Sequence, residues 1–334
     1  MNKTIKIAVD AMGGDGSPKK VIDGISHHFK SNKDSFYQIF GDKDKILPHI
    51  KSDLTNSSFE IFHTMDIVKG TDSPLEGAKR GKNTSMWLAI QNVKEKKSDV
   101  VISAGNTGAL LVISKLNLKM IENIDKPALS ALWPNKKGMS VVLDLGANIE
   151  CSPKNLIDFS IMGSSLFISL YPDDSAKVAL LNIGSEELKG NETIKETYQQ
   201  LNQRNNNDFE FKGYIEGNQL MNGDVNVIVA DGFTGNVALK TAEGTASFIT
   251  SELKKAMTGN LIGKISSLLN ILNLRKFKKK FDPRLYNGAI FIGLDSPVIK
   301  SHGGTDHIGF SNSLSVCTKI VSGNLIEKIR KNIN

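Results

Sequence analysis

The chain has 334 residues, of which 40% are hydrophobic and 23% are charged. This composition excludes a disordered protein and can supply the core of one large α/β domain or of two lobes. Cys151 and Cys317 are far apart and have no CxxC or histidine companions, so neither a disulfide framework nor a metal site is predicted. No run of about 18 apolar residues and no signal-peptide core occurs, so we expect a cytoplasmic protein.

The net charge of +7 originates in one stretch of the chain. Eight basic and no acidic residues lie between Leu253 and Phe281, and without them 34 of the 42 basic residues remain against 35 acidic ones. A general polyanion-binding surface needs positive charge beyond one such stretch. We therefore predict a local basic patch and no nucleic-acid partner.

Apolar runs followed by glycine-bearing turns recur along the chain. Runs rich in branched apolar residues predict strands at 5–9, 36–40, 59–63, 99–103, 139–144, 177–182 and 225–229. Helical patterns are predicted at 18–29, 84–97, from 106, 153–171, 192–203 and from 234 to about 257. This alternation predicts an α/β fold with a mostly parallel, doubly wound sheet, helices on both faces and a site at the strands' carboxyl ends. No clear linker divides the chain, so we expect 1–334 to form a single catalytic α/β domain.

The predicted strands that matter most end in polar turns close to the start of a helix. In such a corner, unpaired N–H groups and the positive end of the helix dipole favour small anions. For any one corner the alternative is a tight connection without a ligand. The corners read DAMGGDGSP from Asp10, SAGNTGALL from Ser103, DLGAN from Asp144, NIGSEELKGNE from Asn182 and DGFTGN from Asp231.

These corners lack the motifs of several common chemistries. There is no GxGxxG, GxxxxGK[ST], HExxH or GxSxG motif, so we predict no cofactor, no metal and no covalent acyl-enzyme. Small hydrogen-bond donors and one lysine, Lys189, suit the binding of an oxyanion such as phosphate and the polarisation of a carbonyl group. The donors are Ser103, Asn106, Thr107, Asn148, Thr234 and Asn236.

Six motifs, in their order and spacing, closely resemble the PlsX family of phosphate acyltransferases over essentially the whole chain. They are AVDAMGGDGSP, SAGNTGAL, DLGAN, LLNIGSEELKGNE, ADGFTGNVALKTAEG and SPVIKSHGGTD. The resemblance implies transfer of a fatty acyl group from acyl-acyl-carrier protein to inorganic phosphate. The product would be acyl-phosphate for a membrane glycerol-3-phosphate acyltransferase at the start of bacterial phospholipid synthesis. It also implies a homodimer and a fold similar to phosphate acetyltransferases and isocitrate-type dehydrogenases.

This sequence departs from the family's pattern at 70–71, 83–86 and 303–306, which weakens any role for residues 70 to 84. Two other functions stay open. One is a short-chain phosphate acyltransferase that uses acyl-coenzyme A. The other is a non-catalytic scaffold of lipid synthesis that binds the carrier protein.

The resemblance and the residues together give a hypothesis for catalysis. Phosphate is largely deprotonated near neutral pH and a thiol leaves readily, so neither a strong base nor a strong acid is required. We assign Lys189 to the phosphate charge and Asn236 to the carbonyl oxygen or phosphate, with backbone amides of 103–107 and 234–236 completing one cradle. The alternatives are an exposed loop lysine for Lys189 and a helix cap for Asn236.

Further side chains and glycines are candidates for binding phosphate or substrate. The alternative for the three aspartates at strand ends is that they organise their own turns, and for His302 it is a structural histidine. The candidates are Asp10, Gly13, Gly14, Asp15, Ser103, Asn106, Thr107, Asp144, Asn148, Asp231, Thr234 and His302.

The segment 258–283 is predicted to be a basic amphipathic helix. One helical stripe contains Leu261, Ile262, Ile265, Leu268, Leu269 and Leu272. The cations that follow are Arg275, Lys276, Lys278, Lys279 and Lys280. An apolar stripe beside unneutralised cations is typical of helices at an anionic membrane surface. We therefore expect peripheral association with the inner face of the cell membrane or docking of the acidic carrier protein; the alternative is an ordinary core-facing helix.

Overall fold

The computed structural model describes residues 4–204 and 208–333. In this part of the chain, eleven strands form one sheet. The strands are β1 (Ile5–Asp10), β2 (Ser35–Gly41), β3 (Phe59–His63), β4 (Val100–Ser103), β5 (Ala128–Pro134), β6 (Met139–Leu143), β7 (Lys177–Asn182), β8 (Glu210–Glu216), β9 (Val227–Val229), β10 (Ala289–Ile292) and β11 (Val298–Lys300).

The helices connect these strands and extend from the sheet. They are α1 (Lys19–Phe29), α2 (Lys43–Ile46), α3 (Pro74–Lys79), α4 (Ser85–Lys94), α5 (Thr107–Asn117), α6 (Pro153–Leu170), α7 (Glu192–Gln203), α8 (Gly232–Thr258), α9 (Leu261–Leu269), α10 (Ile271–Lys280), α11 (His307–Ser322) and α12 (Leu325–Ile333). Short 3-10 helices occur at Leu47–His49, Gly217–Gln219 and Pro283–Tyr286.

The sheet consists of two parallel blocks that run in opposite directions. Its order is β3-β2-β1-β4-β11-β10-β5-β6-β9-β7-β8. Strands β3, β2, β1, β4 and β11 are mutually parallel, and so are β6, β9, β7 and β8. Between the blocks, β11 with β10, β10 with β5 and β5 with β6 pair antiparallel. Strand direction therefore reverses three times between the blocks, so the second block runs antiparallel to the first.

The predicted fold class, a mostly parallel sheet with helices on both faces, is confirmed. The first block buries both faces, as parallel strands do: Ile7 and Val9 of β1 belong to one buried cluster and Ala8 belongs to another. In the second block, Val142 and Ile228 pack in a third cluster that includes part of α8. Helices α1, α6, α11 and α12 cover one face, and α4 and α5 cover the other.

The prediction missed β5, β8, β10 and β11. Strands β10 and β11 have only four and three residues, which is too short for a clear periodic signal. Strand β5 ends in a proline, a residue that argues against a central strand. These omissions concealed the antiparallel centre of the sheet and therefore the reversal between its two halves.

Helices α8, α9 and α10 are largely exposed to solvent. In α8, of 27 residues, only Gly232 and Gly235 are buried. The apolar stripe 261–272 is not one helix, because α9 ends at Leu269 and α10 begins at Ile271. All six side chains of the stripe are exposed, so the core-facing alternative is wrong. The side chain of Lys278 lies outside the described part of the structure. Among the described helices, none is both long and apolar enough to cross a membrane.

The core contains a histidine that is held neutral. His28 lies on α1, is 2% exposed, and its Nδ1 is 2.6 Å from the Tyr37 hydroxyl oxygen. Its Nε2 has no hydrogen-bond partner among the described residues. Burial lowers the pKa of His28 to about 4, and the neighbouring His27 adds to this shift. Protonation of His28 therefore favours the unfolded chain, in which the ordinary value is 6.5.

We predict that His28→Gln flattens the pH dependence of stability. Between pH 7 and pH 5 the unfolded chain takes up a proton that the folded chain refuses, so the wild-type free energy of unfolding falls by about 2 kcal/mol from this group. Denaturant unfolding at both pH values measures this loss. The exposed His27→Gln is the control and should keep the wild-type slope; an unchanged slope in His28→Gln would contradict the prediction.

Candidate functional site

The strand directions divide the predicted corners between two opposite edges of the sheet. The turns after β1, β4 and β11 leave at one edge, the Asp10 edge, and those after β6, β7 and β9 leave at the other, the Asp144 edge. Three strands separate β4 from β6, so four spacings of ~4.8 Å place these strands about 19 Å apart. The expected single cradle of 103–107 and 234–236 amides is therefore wrong within one chain.

At the Asp144 edge, a buried carboxylate folds the turn after β6. Asp144 Oδ1 accepts hydrogen bonds from the N–H groups of Leu129 (2.9 Å) and Ala147 (3.0 Å). Its Oδ2 accepts from the backbone and side-chain nitrogens of Asn148, at 2.7 and 2.8 Å. Burial raises the pKa of Asp144, and these hydrogen bonds oppose that rise. Asp144 thus organises its own turn, and the Asn148 amide, which also donates to Pro127 O at 2.7 Å, is occupied in the same network.

The first turn of α8 packs directly on this turn through two glycines. A Cβ on Gly235 would lie 2.0 Å from Asp144 O, and one on Gly232 would lie 2.5 Å from Asn148 O, so no larger residue fits at either position. Asp231 caps the helix by accepting from Thr234 N (2.8 Å) and Thr234 Oγ1 (2.9 Å). Asp231 and Thr234 therefore satisfy each other and leave no free donor.

Asn236 is the unoccupied donor of this corner. Asp231, not Asn236, is the helix cap, so the cap alternative for Asn236 is wrong. The Asn236 side chain is exposed and makes no hydrogen bond within the described residues. It lies over Gly146, whose φ of +117° is accessible to glycine and where a Cβ would stand 3.5 Å from Asn236 Cγ. The primary amide is therefore presented to solvent by a glycine turn.

Lys189 lies in the turn after β7, the strand next to β9. The Asn182 side chain donates to Gly184 O and Lys189 O, both at 3.1 Å, and holds this turn at the strand end. Lys189 is exposed, and no carboxylate of the described residues lies within 4.0 Å of its ammonium group. An uncompensated cation and a free amide thus follow neighbouring strands at one edge.

Large apolar side chains lie close in sequence to Asn236 and Lys189. They occur in the same three turns or in the first turns of α8, and each is more than half exposed. They are Ile149, Ile183, Leu188, Phe233 and Val237. The Asp144 edge therefore combines polar donors with apolar surface suited to a hydrocarbon ligand.

At the Asp10 edge, a second buried carboxylate ties neighbouring elements together. Asp10 is 1% exposed and accepts from Ser85 Oγ (2.7 Å), Ser103 Oγ (2.6 Å) and Met12 N (3.3 Å). Ser103 Oγ also accepts from Gly105 N at 3.0 Å. Burial raises the pKa of Asp10, and the hydroxyl donors oppose the rise. Asp10 and Ser103 are thus satisfied internally and hold β1, β4 and α4 in place.

Three turns meet beside this carboxylate. A Cβ on Gly13 would lie 2.5 Å from Gly105 N, and one on Gly14, whose φ is +83°, would lie 2.8 Å from Ala104 O. Asp15 N donates to Gly303 O at 3.0 Å. The glycines are therefore required for the close approach of the turns after β1, β4 and β11.

The other candidates at this edge have different surroundings. Asn106 caps α5 by accepting from Ala109 N (3.0 Å), and its amide donates to Gly70 O and Asp72 O, so it anchors 70–72 and is not free. Thr107 is exposed. His302 is exposed too, and its Nδ1 accepts from Gly304 N at 3.1 Å.

Sequence reasoning missed two lysines at the Asp10 edge. Lys20 and Lys300 are each 8% exposed. Lys20 Nζ donates to Gly303 O at 2.6 Å, and Lys300 Nζ donates to Ser301 O and, at 3.4 Å, to Ala104 O. Burial lowers the pKa of both, that of Lys300 to about 8 with a contribution from the charge of Lys20. For Lys300, the sequence signal that could have identified it is its position directly after the apolar residues Val298 and Ile299.

Comparison with known proteins adds independent information. A family model described as "Fatty acid synthesis protein" matches residues 5–328. A phosphate acyltransferase of Pelagibacter ubique is 88% identical over 100% of both chains. One of Rhodospirillum rubrum is 43% identical over 100% of this chain and 95% of its own.

A solved structure, the EutD phosphotransacetylase from Staphylococcus aureus, has the same fold. It superposes with a TM-score of 0.62 over 96% of this chain and 94% of its own, at 15% identity. At that identity the likeness concerns the fold alone. The resemblance found in the sequence motifs is confirmed by the full-length relatives, and the chain belongs to the phosphate acyltransferase family.

Proposed function

We propose that this protein transfers a fatty acyl group from acyl-acyl-carrier protein to inorganic phosphate, and that the reaction takes place at the Asp144 edge. The observation that carries the site is the free Asn236 amide and the uncompensated Lys189 ammonium on turns after adjacent strands. The phosphate acyltransferase names of the full-length relatives support the reaction class. The acyl-coenzyme A alternative shares the chemistry and differs in the donor.

The chemistry requires positioning and charge stabilisation. A phosphate oxygen attacks the thioester carbonyl carbon, a C–O bond forms, and the C–S bond breaks with its electron pair leaving on sulfur as thiolate. The Asn236 amide donates a hydrogen bond to the carbonyl oxygen as negative charge develops there. The Lys189 ammonium offsets the phosphate charge and lowers the repulsion between the two reactants. The phosphate dianion needs no general base.

We expect Asn236→Ala to lower turnover roughly 100-fold or more, because removal of one oxyanion donor has an effect of that size. Lys189→Ala should raise the KM for phosphate and lower turnover. The assay incubates acyl-carrier thioester with and without phosphate and traps acyl-phosphate as hydroxamate, and a parallel series with acyl-coenzyme A identifies the donor.

Lys195→Ala on α7 is the matched control and should behave as wild type. Folded Lys189→Ala and Asn236→Ala proteins with near-wild-type turnover would remove this assignment. Hydroxamate formation that does not depend on phosphate would remove the proposed reaction itself.

The long helix α8 supports the proposed homodimer. Phe248, Ile249 and Leu253 are exposed on a 27-residue helix that packs against the sheet only up to Ala242. Helices of this length are normally stabilised by packing of an apolar face. A second copy of the chain would supply that packing.

Light scattering of the purified chain should therefore give a dimer mass. Phe248→Asp together with Ile249→Asp should give a monomer, since two charges would be buried in the interface. A wild-type monomer at micromolar concentration, or a dimer that withstands both substitutions, would contradict this interface.

Helices α9 and α10 support peripheral membrane association. Leu261, Ile262, Leu268 and Leu269 are each more than 70% exposed, and a cluster of lysines follows in α10. Clustered cations near an anionic surface contribute about 1 kcal/mol each. The same basic segment could instead receive the acidic carrier protein. Membrane association would release the acyl-phosphate close to a membrane glycerol-3-phosphate acyltransferase.

We expect the protein to float with anionic liposomes and to lose flotation in Leu268→Glu/Leu269→Glu, because the apolar contact is replaced by charge repulsion. Leu75→Glu/Leu116→Glu is the matched control: these leucines are 64% and 63% exposed but lie on α3 and α5. Equal flotation of the two double variants would count against this membrane surface and leave the carrier protein as the partner of the basic segment.

A further inference from the structure

Lys20 and Lys300 form a buried pair of cations at the Asp10 edge, away from Asn236 and Lys189. Both side chains are more than nine-tenths buried. They come from different parts of the chain, α1 and β11, and donate to carbonyl oxygens of Gly303 and Ala104, in the turns after β11 and β4, where these converge with the turn after β1. Because two buried ammonium groups repel each other, their convergence requires a compensating negative charge.

The described part of the chain does not supply that charge by direct contact. Among residues 4–204 and 208–333, no carboxylate oxygen lies within 4.0 Å of either ammonium nitrogen. The protein acceptors of the two lysines are backbone carbonyl oxygens, which carry only partial charge. Each ammonium has three N–H donors, so Lys20 retains two and Lys300 retains one.

The two carboxylates that act on the lysines are already engaged or exposed. Both oxygens of Asp10 accept hydrogen bonds from hydroxyl groups, and burial favours its protonated form. Asp15 is exposed at the rim and interacts with Lys20 through its charge alone. Buried ions in proteins are normally compensated, and a phosphate dianion carries enough negative charge to compensate both lysines.

The main chain around the pair is arranged for close approach. A Cβ on Gly14 would lie 3.0 Å from Lys20 Nζ and 3.0 Å from Gly303 O. Asp15, Gly16 and Gly304, in the turns after β1 and β11, are exposed and border the site, and Lys20 Nζ lies beside Gly14, which has no side chain. We therefore expect an oxyanion to approach Lys20 from this border.

We propose that Lys20 and Lys300 bind a tetrahedral dianion, either inorganic phosphate or the phosphate group of a monoester, at the Asp10 edge. The proposal does not rest on the function assigned to Asn236 and Lys189. Four strand spacings separate β11 from β9, about 19 Å, and the two turns leave at opposite edges. An anion held here is therefore not the phosphate that attacks beside Asn236 of the same chain.

Calorimetric titration with inorganic phosphate tests the site in full-length Lys189→Met, which lacks the cation of the other edge. Adding Lys300→Met or Lys20→Met should weaken phosphate binding at least tenfold, and Lys300→Arg should retain most of it. Lys19→Met is the matched control, because Lys19 neighbours Lys20 but is exposed and paired with Asp23; it should bind as the parent does.

Two further measurements separate ligand source from folding. Titration with the monoesters 4′-phosphopantetheine and glycerol-3-phosphate shows whether the site prefers a phosphate monoester or free phosphate. Acetate should bind at least tenfold more weakly than free phosphate and than both monoesters. Phosphate should raise the thermal midpoint of the parent and not that of Lys300→Met, which should still fold because methionine removes a buried, uncompensated charge. Equal phosphate affinity in the parent, Lys300→Met and Lys20→Met, or no binding of any phosphate probe, would overturn the proposal.

Discussion

The reversal of strand direction at the centre of the sheet is the constraint on which the functional geometry depends. Three antiparallel pairings in succession, through β10 and β5, turn the second parallel block against the first. Carboxyl ends of parallel strands collect their turns at one edge, so two blocks of opposite direction create two such edges. Turns with closely similar glycine-rich sequences are therefore separated in space.

Each edge is built by the same physical device. A carboxylate at the end of a buried strand, Asp10 or Asp144, is removed from water and satisfied by hydroxyl or backbone donors. Satisfying a buried carboxylate so completely holds the surrounding turn in one conformation. Glycines then allow a second turn or helix to approach within contact distance. The aspartates shape the site, while less constrained residues remain available to ligands.

The two edges differ in what remains available. The Asp144 edge presents an exposed amide and an exposed lysine among large apolar side chains, which suits a thioester with a hydrocarbon tail. The Asp10 edge presents two buried ammonium groups beside glycine-rich turns, which suits a compact dianion. Helix α8 starts at the first of these edges and leads toward the exposed α9 and α10, so the proposed active site and the proposed membrane surface are joined by one element.

The sequence by itself determined the fold class, the strands β1 to β4, β6, β7 and β9, and the chemistry of the turns, because apolar periodicity and glycine spacing are local signals. It also located the basic segment and the family. Only the tertiary structure decided that Thr234 and Asn106 are occupied by capping contacts whereas Asn236 is free, and that Lys20 and Lys300 are buried at the same edge. Those facts depend on strand order and direction. The sequence does not reveal that order, because β10 and β11 are short and β5 ends in a proline. The distance between two corners, and whether they lie at the same edge, depend on the number and direction of all the strands between them.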